Sequence, residues 1–248
     1  MTDAFIRIGG FQKLTLLDYP GQMACIVFTA GCNFRCPFCQ NAGLLTSDGL
    51  SGPASGSVIS EKEILQYMEK RKGLLDGVVI SGGEPLMQEG LTEFIRKVKE
   101  LGFLVKLDTN GSFPDRLAGL LKEGLADYVA MDIKSSRDGY GTASGRAAGE
   151  ILPGVERSIA LLKEFAAERG EGFSCEFRTT LVKGIHREED VEAIARQIGD
   201  DIPYYLQSYS DAGDILKPEG LRSFSEEELQ NMLDIARSFC RKAQLRQQ

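Results

Sequence analysis

Short runs of β-branched and aliphatic residues alternate along this chain with stretches whose apolar residues recur every three or four positions. The continuous runs predict strands at 24–29, 77–81, 104–108, 128–133, 174–182 and 203–207. The periodic stretches predict helices. Ile64, Leu65 and Met68 share a face behind a Ser60/Glu63 capping box, and Leu91, Phe94, Ile95, Val98 and Leu101 form a stripe stopped by Gly102. Further stripes are Leu117, Leu120 and Leu121; Ile159, Leu162, Phe165 and Ala166; and Val191, Ile194, Ala195 and Ile198. A last helix is expected to start near Ser225, with glutamates at 226–228 in its first turn and Leu229, Met232, Leu233, Ala236 and Phe239 on its apolar face. Such alternation predicts an α/β fold in which a parallel sheet carries outer helices. Right-handed crossovers would curl the sheet into a partial barrel of six β/α units. The Gly/Ser-rich stretches 47–57 and 135–149 read as long surface loops. The whole of 1–248 is expected to form one domain, with the segment 1–23 and a helix at 225–241 packed on it.

The polar residues are placed as regularly as the apolar ones. The first predicted strand runs into Gly31-Cys-Asn-Phe-Arg-Cys-Pro-Phe-Cys-Gln-Asn41, and the second into Gly82-Gly83-Glu84-Pro85. The third ends in Asp108-Thr109-Asn110-Gly111 and the fourth in Asp132-Ile133-Lys134. In parallel α/β sheets and barrels the C-terminal strand edge is where sites are built. Four polar motifs at successive strand ends therefore predict one shared site.

Composition narrows the function classes only a little. The 248 residues are 42% hydrophobic and 26% charged, ordinary for a globular protein. A net charge of −7 argues against nucleic-acid binding through a broad basic face. The first residues lack a signal-peptide layout, and no apolar run reaches the roughly 20 residues needed to span a bilayer. Six cysteines in a chain this long do not suggest a secreted disulfide framework. A cytoplasmic protein with neither nucleic-acid nor membrane partner is expected.

The cysteines change the picture more. Cys32, Cys36 and Cys39 form C-x3-C-x2-C. Three thiolates can hold three irons of a 4Fe–4S cube and leave the fourth iron open to a small molecule. Zinc is the alternative, but a structural zinc wants four ligands. Cys25 sits in an apolar strand and reads as a core residue, while the only histidine, His186, is far along the chain. Phe34 and Phe38 would shield a cluster from water.

Each remaining motif has a plain alternative. Gly82-Gly83 alone would be a turn; beside a cluster strand it would let backbone approach a ligand, with Glu84 accepting from an ammonium group. Asp108-Thr109-Asn110 could be an ordinary Asx turn. Asp132 and Lys134 point the same way on a strand and could form an ion pair at the rim, or Asp132 could join Asp108 on a cation or on sugar hydroxyls. Arg178 is a charge inside a β run: either it is exposed at an edge, or it points inward to an anionic partner such as a ligand carboxylate. Gln207, ending the last predicted strand, is a weaker candidate of the same kind.

Together these motifs resemble the radical S-adenosylmethionine (SAM) superfamily, from Gly9 to about Gln207. Within it the chain is most similar to the activases of glycyl-radical enzymes, through Asp18-Tyr-Pro-Gly21, Asn41, Asp132-Ile133-Lys134 and Arg178. More narrowly, residues 9–21, 106–111 and 128–134 resemble the longer type of anaerobic ribonucleoside-triphosphate reductase activating protein. Many relatives have His where this chain has Gln40, some activases have His near Gln207-Ser208, and no Cys-rich insert follows Cys39.

The resemblance implies a 4Fe–4S cluster on Cys32, Cys36 and Cys39 and SAM at its open iron. It places Phe38 and Gln40 on the adenosyl side and Gly83 and Glu84 at the methionyl amine. Asp108, Thr109 and Asp132 would hold a monovalent cation against the SAM carboxylate, with Lys134 and Arg178 adding charge. Asn41, Gly82, Asn110, Ile133 and Gln207 complete the implied cofactor-binding set, and Asp18 would receive the glycine loop of a partner enzyme. The implied partners are a glycyl-radical enzyme, with anaerobic ribonucleotide reductase the expected one, and a flavodoxin- or ferredoxin-like electron donor. The competing functions are another radical SAM reaction on a peptide or small molecule, and a non-catalytic zinc or iron–sulfur module.

Overall fold

All six predicted strands are present in the computed structural model, which describes residues 5–45, 59–210 and 215–246. In chain order the elements are β1 (Ile8–Thr15), β2 (Ala24–Thr29), α1 (Glu61–Glu69), β3 (Gly77–Gly82), α2 (Leu91–Glu100), β4 (Leu104–Thr109), α3 (Pro114–Lys122) and β5 (Tyr128–Asp132). There follow α4 (Tyr140–Ser144), α5 (Ala148–Arg169), β6 (Ser174–Leu181), α6 (Glu188–Ile198), β7 (Tyr204–Ser208), α7 (Glu226–Arg237) and β8 (Ala243–Arg246). The strand order is that of the sequence, β1 through β8, and among the described residues β8 does not pair back to β1. The sheet is thus open, as expected of this α/β class. The predicted loop at 47–57 lies outside the described residues.

The residues group into two compact units, Met1–Asn33, Gly43–Thr109 and Asp115–Val129 in one, Phe34–Ala42, Asn110–Pro114 and Ala130–Gln248 in the other. In the first unit β2, β3 and β4 run parallel, with Ala24 opposite Gly77 and Gly77 opposite Leu104. Val27, Val78, Val79, Ile80, Val105 and Leu107 are fully buried. Coverage on both faces is why these strands are continuous apolar runs rather than alternating ones. The capping box at α1 is formed: Ser60 N–H donates to Glu63 Oε2 at 2.7 Å and Glu63 N–H to Ser60 Oγ at 3.3 Å. Gly102, at φ +88°, follows the end of α2.

The strand β1 was not foreseen. It pairs antiparallel with β2, and its Gly-Gly pair and polar residues hide it from a propensity reading. The connection from β1 to β2 is a turn in which the Leu17 and Asp18 N–H groups donate to Thr15 Oγ1, each at 3.2 Å.

In the second unit β6, β7 and β8 are parallel, with Phe177 opposite Tyr204 and Tyr204 opposite Ala243. Cys175, Phe177 and Thr179 of β6 are buried on one face, while Glu176, Arg178 and Thr180 point to the other. Glu176 has no exposed side-chain surface and is bound bidentately by Arg246 at 2.7 and 2.9 Å. Arg246 also stacks 3.6 Å from the centroid of Tyr205. That anchor is what makes the four-residue β8 a strand, and nothing in its local sequence announces it.

The stretch 135–149 is not a surface loop. Its composition suggested one, but it contains α4 and the start of α5, and Ser135, Tyr140, Ala143 and Ser144 are buried. Among the described residues no helix is long and apolar enough to cross a membrane.

Candidate active site

The path from β2 into the cysteine segment is held by backbone. Ala30 N–H donates to Arg7 O at 2.8 Å, Gly31 N–H to Leu44 O at 2.6 Å, and Gln88 Nε2 to Ala30 O at 2.8 Å. Gly83 and Glu84 close on the same segment, their N–H groups donating to Thr29 O and Gly31 O, both at 2.9 Å. A Cβ on Gly82 would lie 2.3 Å from Thr29 N, and one on Gly83 would lie 2.0 Å from Gly31 O. Gly82 also adopts φ +111°. The two glycines therefore serve close approach, but to the backbone leading into Cys32.

Glu84 is fully buried, and its Oε1 accepts from Leu86 N–H at 3.0 Å and Thr109 Oγ1 at 2.8 Å. The end of β3 is thereby tied to the end of β4. Asp108 is paired with the buried Lys106 at 2.5 Å, and Lys106 Nζ lies 5.7 Å from the Tyr128 ring centroid. Both Lys106 and Gln88 escaped the sequence reading. Lys106 lies two residues before Asp108 on a strand, on the same face, and that spacing was the available signal.

The second unit carries the rest. Cys36 is buried, and burial pushes its thiol up to about 11, with Lys134 pulling the other way. Burial also raises Cys39, opposed by the Asn41 backbone N–H and by Lys134 and Arg35. A nearby metal would favour the thiolate in both cases. The loop is pinned from outside: Arg35 N–H donates to Ser144 O at 2.8 Å and Lys217 N–H to Pro37 O at 2.9 Å. Gln40 Nε2 donates to Ser210 O at 3.1 Å. Asn41 is exposed, and Gln207 is half-buried in β7 opposite Thr180.

Phe38 is buried edge-on to His186, with ring centroids 6.0 Å apart. His186 Nδ1 accepts from Val182 N–H at 3.0 Å, so the proton sits on Nε2, which donates to Lys134 O at 2.7 Å. Burial lowers the pKa of this ring.

Asp132 lies between two cations, Lys134 at 2.9 Å and Arg178 at 2.8 Å. Burial would raise its carboxyl, but Arg178 and Lys134 outweigh that and hold it well below the ordinary carboxylate range. Lys134 is raised in turn: burial would lower it, and Asp132 and Cys36 prevail. Arg178 is thus inward-facing, with a side chain 12% exposed and an anionic partner within the chain. Ile133 contributes backbone: its N–H donates to Arg178 O, and its carbonyl accepts from Thr179 Oγ1, both at 2.8 Å. Asn110 forms the Asx turn, its Oδ1 accepting from Ser112 N–H at 3.0 Å and Ser112 Oγ at 2.6 Å.

Asp18 lies at the other end of β2 from the cysteine segment. It lies in the β1–β2 connection, at the N-terminal end of β2, with its carboxylate accepting from Thr15 Oγ1. Six strand residues separate that end from the end leading to Cys32, roughly 20 Å of extended chain.

A protein-family profile for the radical SAM superfamily matches residues 26–150, half of the chain. The chain belongs to the radical SAM superfamily. Among its relatives is a Methanocaldococcus jannaschii protein named, provisionally, as a glycyl-radical enzyme activating enzyme. The two are 32% identical over 82% of this chain and 79% of that protein. A 7-carboxy-7-deazaguanine synthase of Methanopyrus kandleri is 31% identical over 75% of each chain. Among solved structures, QueE from Escherichia coli has a TM-score of 0.57 at 15% identity, covering 98% of this chain and 94% of that one. SAM-bound SuiB from Streptococcus suis has a TM-score of 0.60 at 14% identity over 88% of this chain, which spans about half (48%) of SuiB.

As a radical SAM enzyme the chain uses a 4Fe–4S cluster and S-adenosylmethionine. Its donor set fits. Three closely spaced cysteines follow β2; burial raises the pKa of two of them, and Lys134 pulls both the other way, toward the thiolate that a metal needs. Among the described residues no three His, Cys, Asp or Glu side chains are gathered as around a single ion. A cube seats each thiolate on a separate iron and needs no such convergence.

Proposed function

We propose that this enzyme is a cytoplasmic activase of a glycyl-radical enzyme, with anaerobic ribonucleotide reductase the intended partner. The carrying observation is the extent of its likeness to the Methanocaldococcus protein, 32% identity over 82% of the chain. A 4Fe–4S cluster held by Cys32, Cys36 and Cys39 would supply one-electron reductive cleavage of the SAM sulfonium, with the electron drawn from a flavodoxin- or ferredoxin-like donor, and the hydrogen atom that completes 5′-deoxyadenosine would come from a glycine Cα of the partner.

The chain's own residues bind, orient and shield. Cys32, Cys36 and Cys39 are the iron ligands. Gly82 and Gly83 hold the entry to Cys32 in place by backbone contact, and Glu84, braced by Thr109, faces the methionyl amine. Asp108, Asp132, Lys134 and Arg178 set the charge around the SAM carboxylate. Because these carboxylates already have cationic partners, a monovalent cation would have to compete with Lys106 and with Lys134 and Arg178. Phe38, Gln40, Asn41, Asn110, Ile133 and Gln207 complete the cofactor bed, with Phe38 keeping water from the cluster.

The test is anaerobic incubation with SAM, a reductant and the candidate glycyl-radical enzyme, read by EPR. A glycyl doublet on the partner and stoichiometric 5′-deoxyadenosine are expected, and Cys36→Ala should abolish both along with the iron. The likeness to 7-carboxy-7-deazaguanine synthase favours a second reading, a small-molecule reaction. Formation of 7-carboxy-7-deazaguanine without any glycyl doublet would replace the first reading with the second.

A further inference from the structure

Tyr140 belongs to none of the strand-end motifs, yet it is among the largest fully buried side chains. Its hydroxyl has no hydrogen-bond partner among the described residues. Burial pushes the Tyr140 hydroxyl well above the ordinary tyrosine range; the Lys134 side chain and backbone N–H pull the other way, and Cys36 and Asp132 add to the rise. A buried hydroxyl left alone is costly, and native proteins supply such groups with a partner.

The position of Tyr140 is held by the cysteine loop itself. Its ring meets Phe34 edge-on at 6.4 Å. Its carbonyl accepts from Ser144 Oγ at 2.7 Å, and the carbonyl of Ser144 accepts from Arg35 N–H at 2.8 Å. Gly145 completes the clamp: at φ +65°, a Cβ there would stand 2.2 Å from Arg35 O. The one-turn helix α4 is therefore locked to residues 34 and 35, immediately before Cys36. A tyrosine held there lies against the segment that leads into Cys36.

We infer that the Tyr140 hydroxyl donates a hydrogen bond to the Cys36 thiolate sulfur when that cysteine ligates the cluster, and so raises the cluster's reduction potential. A donor to a cluster sulfur favours the reduced, more negative form. Tyrosine is suited to the task because the rest of its ring keeps the site dry. The inference rests on Cys36 being an iron ligand and is independent of which substrate the radical attacks.

The test is a redox titration of the reconstituted holoprotein, followed by EPR of the reduced cluster, on wild type and Tyr140→Phe at matched iron content. The potential is expected to fall in Tyr140→Phe, both with and without SAM. An unchanged potential at full iron loading overturns the inference, and so does a shift that appears only with SAM. A second measurement leaves the hydroxyl in place: 3-fluorotyrosine at position 140 is a stronger donor and should raise the potential, whereas no change or a fall would overturn the inference. The metal-free Tyr140→Phe protein should be at least as heat-stable as metal-free wild type, since the variant loses only an unpaired hydroxyl; a loss of stability there would mean the hydroxyl already has a partner within the chain. Iron analysis separates failure of the ligand assignment from failure of the hydrogen bond.

Discussion

The strand ends of the first unit and those of the second are both polar, but they are built differently. Around β2 and β3 the fit is made by backbone: Gly83 and Glu84 N–H groups meet Thr29 and Gly31 carbonyls, and the Glu84 carboxylate is satisfied by the N–H of Leu86 and the hydroxyl of Thr109. Around β5 and β6 it is made by charge, with Asp132 between Lys134 and Arg178. Backbone contacts have one geometry and tolerate no added atom. Ion pairs among flexible side chains can be exchanged for pairs with a ligand. The first arrangement suits holding a cysteine still, and the second suits admitting a charged cofactor.

The sharpest way to break this contrast is Gly83→Ala. The added methyl has backbone, not a side chain, in its way, so a loss of about 3 kcal/mol or more is expected by urea denaturation, with iron uptake failing in parallel. Unchanged stability in the Gly83→Ala variant would mean that the first unit is as yielding as the second.

Asp132→Asn should cost less. It leaves Lys134 and Arg178 without their carboxylate, but at 29% exposure Asp132 allows water to compensate in part. A loss of about 2 kcal/mol is expected, together with weaker SAM binding in equilibrium titration and a cluster still loaded. Full SAM affinity in this variant would remove Asp132 from the cofactor bed.

His186 offers the smallest effect and a sign. Its folded pKa is depressed, chiefly by burial, so the unfolded chain takes up the proton first as the pH falls. The stability it contributes is complete above the ordinary histidine value near 6.5 and is lost as the pH drops from there through the lower folded value. Denaturation midpoints measured from pH 7.5 to 5 should fall more steeply for wild type than for His186→Gln, by less than ~1.4 kcal/mol per pH unit. Parallel curves would show that the ring is protonated as easily folded as unfolded.

Much of this was legible in the chain. β2 and β3 could be read because strands covered on both faces are continuous apolar runs, and the motifs after them because polar residues stand out where such runs stop. What could not be read depends on partners distant in sequence. Glu84 and Thr109 are 25 residues apart, and Asp132 and Arg178 are 46 apart. β8 depends on Arg246 reaching Glu176, 70 residues back. Tyr140 was hidden in a stretch whose glycines and serines suggested a loop. Asp18 was singled out by the resemblance of Asp18-Tyr-Pro-Gly21 to the activases, and that motif carries no signal that β2 separates it from the cysteine segment.

The hydrogen bond from Arg35 N–H to Ser144 O joins two stretches more than a hundred residues apart at the threshold of Cys36. A single amide thereby becomes a native gauge of how tightly the loop is shut. Its exchange with deuterium would time the opening that must precede loss or repair of a metal centre, with no label attached to the protein.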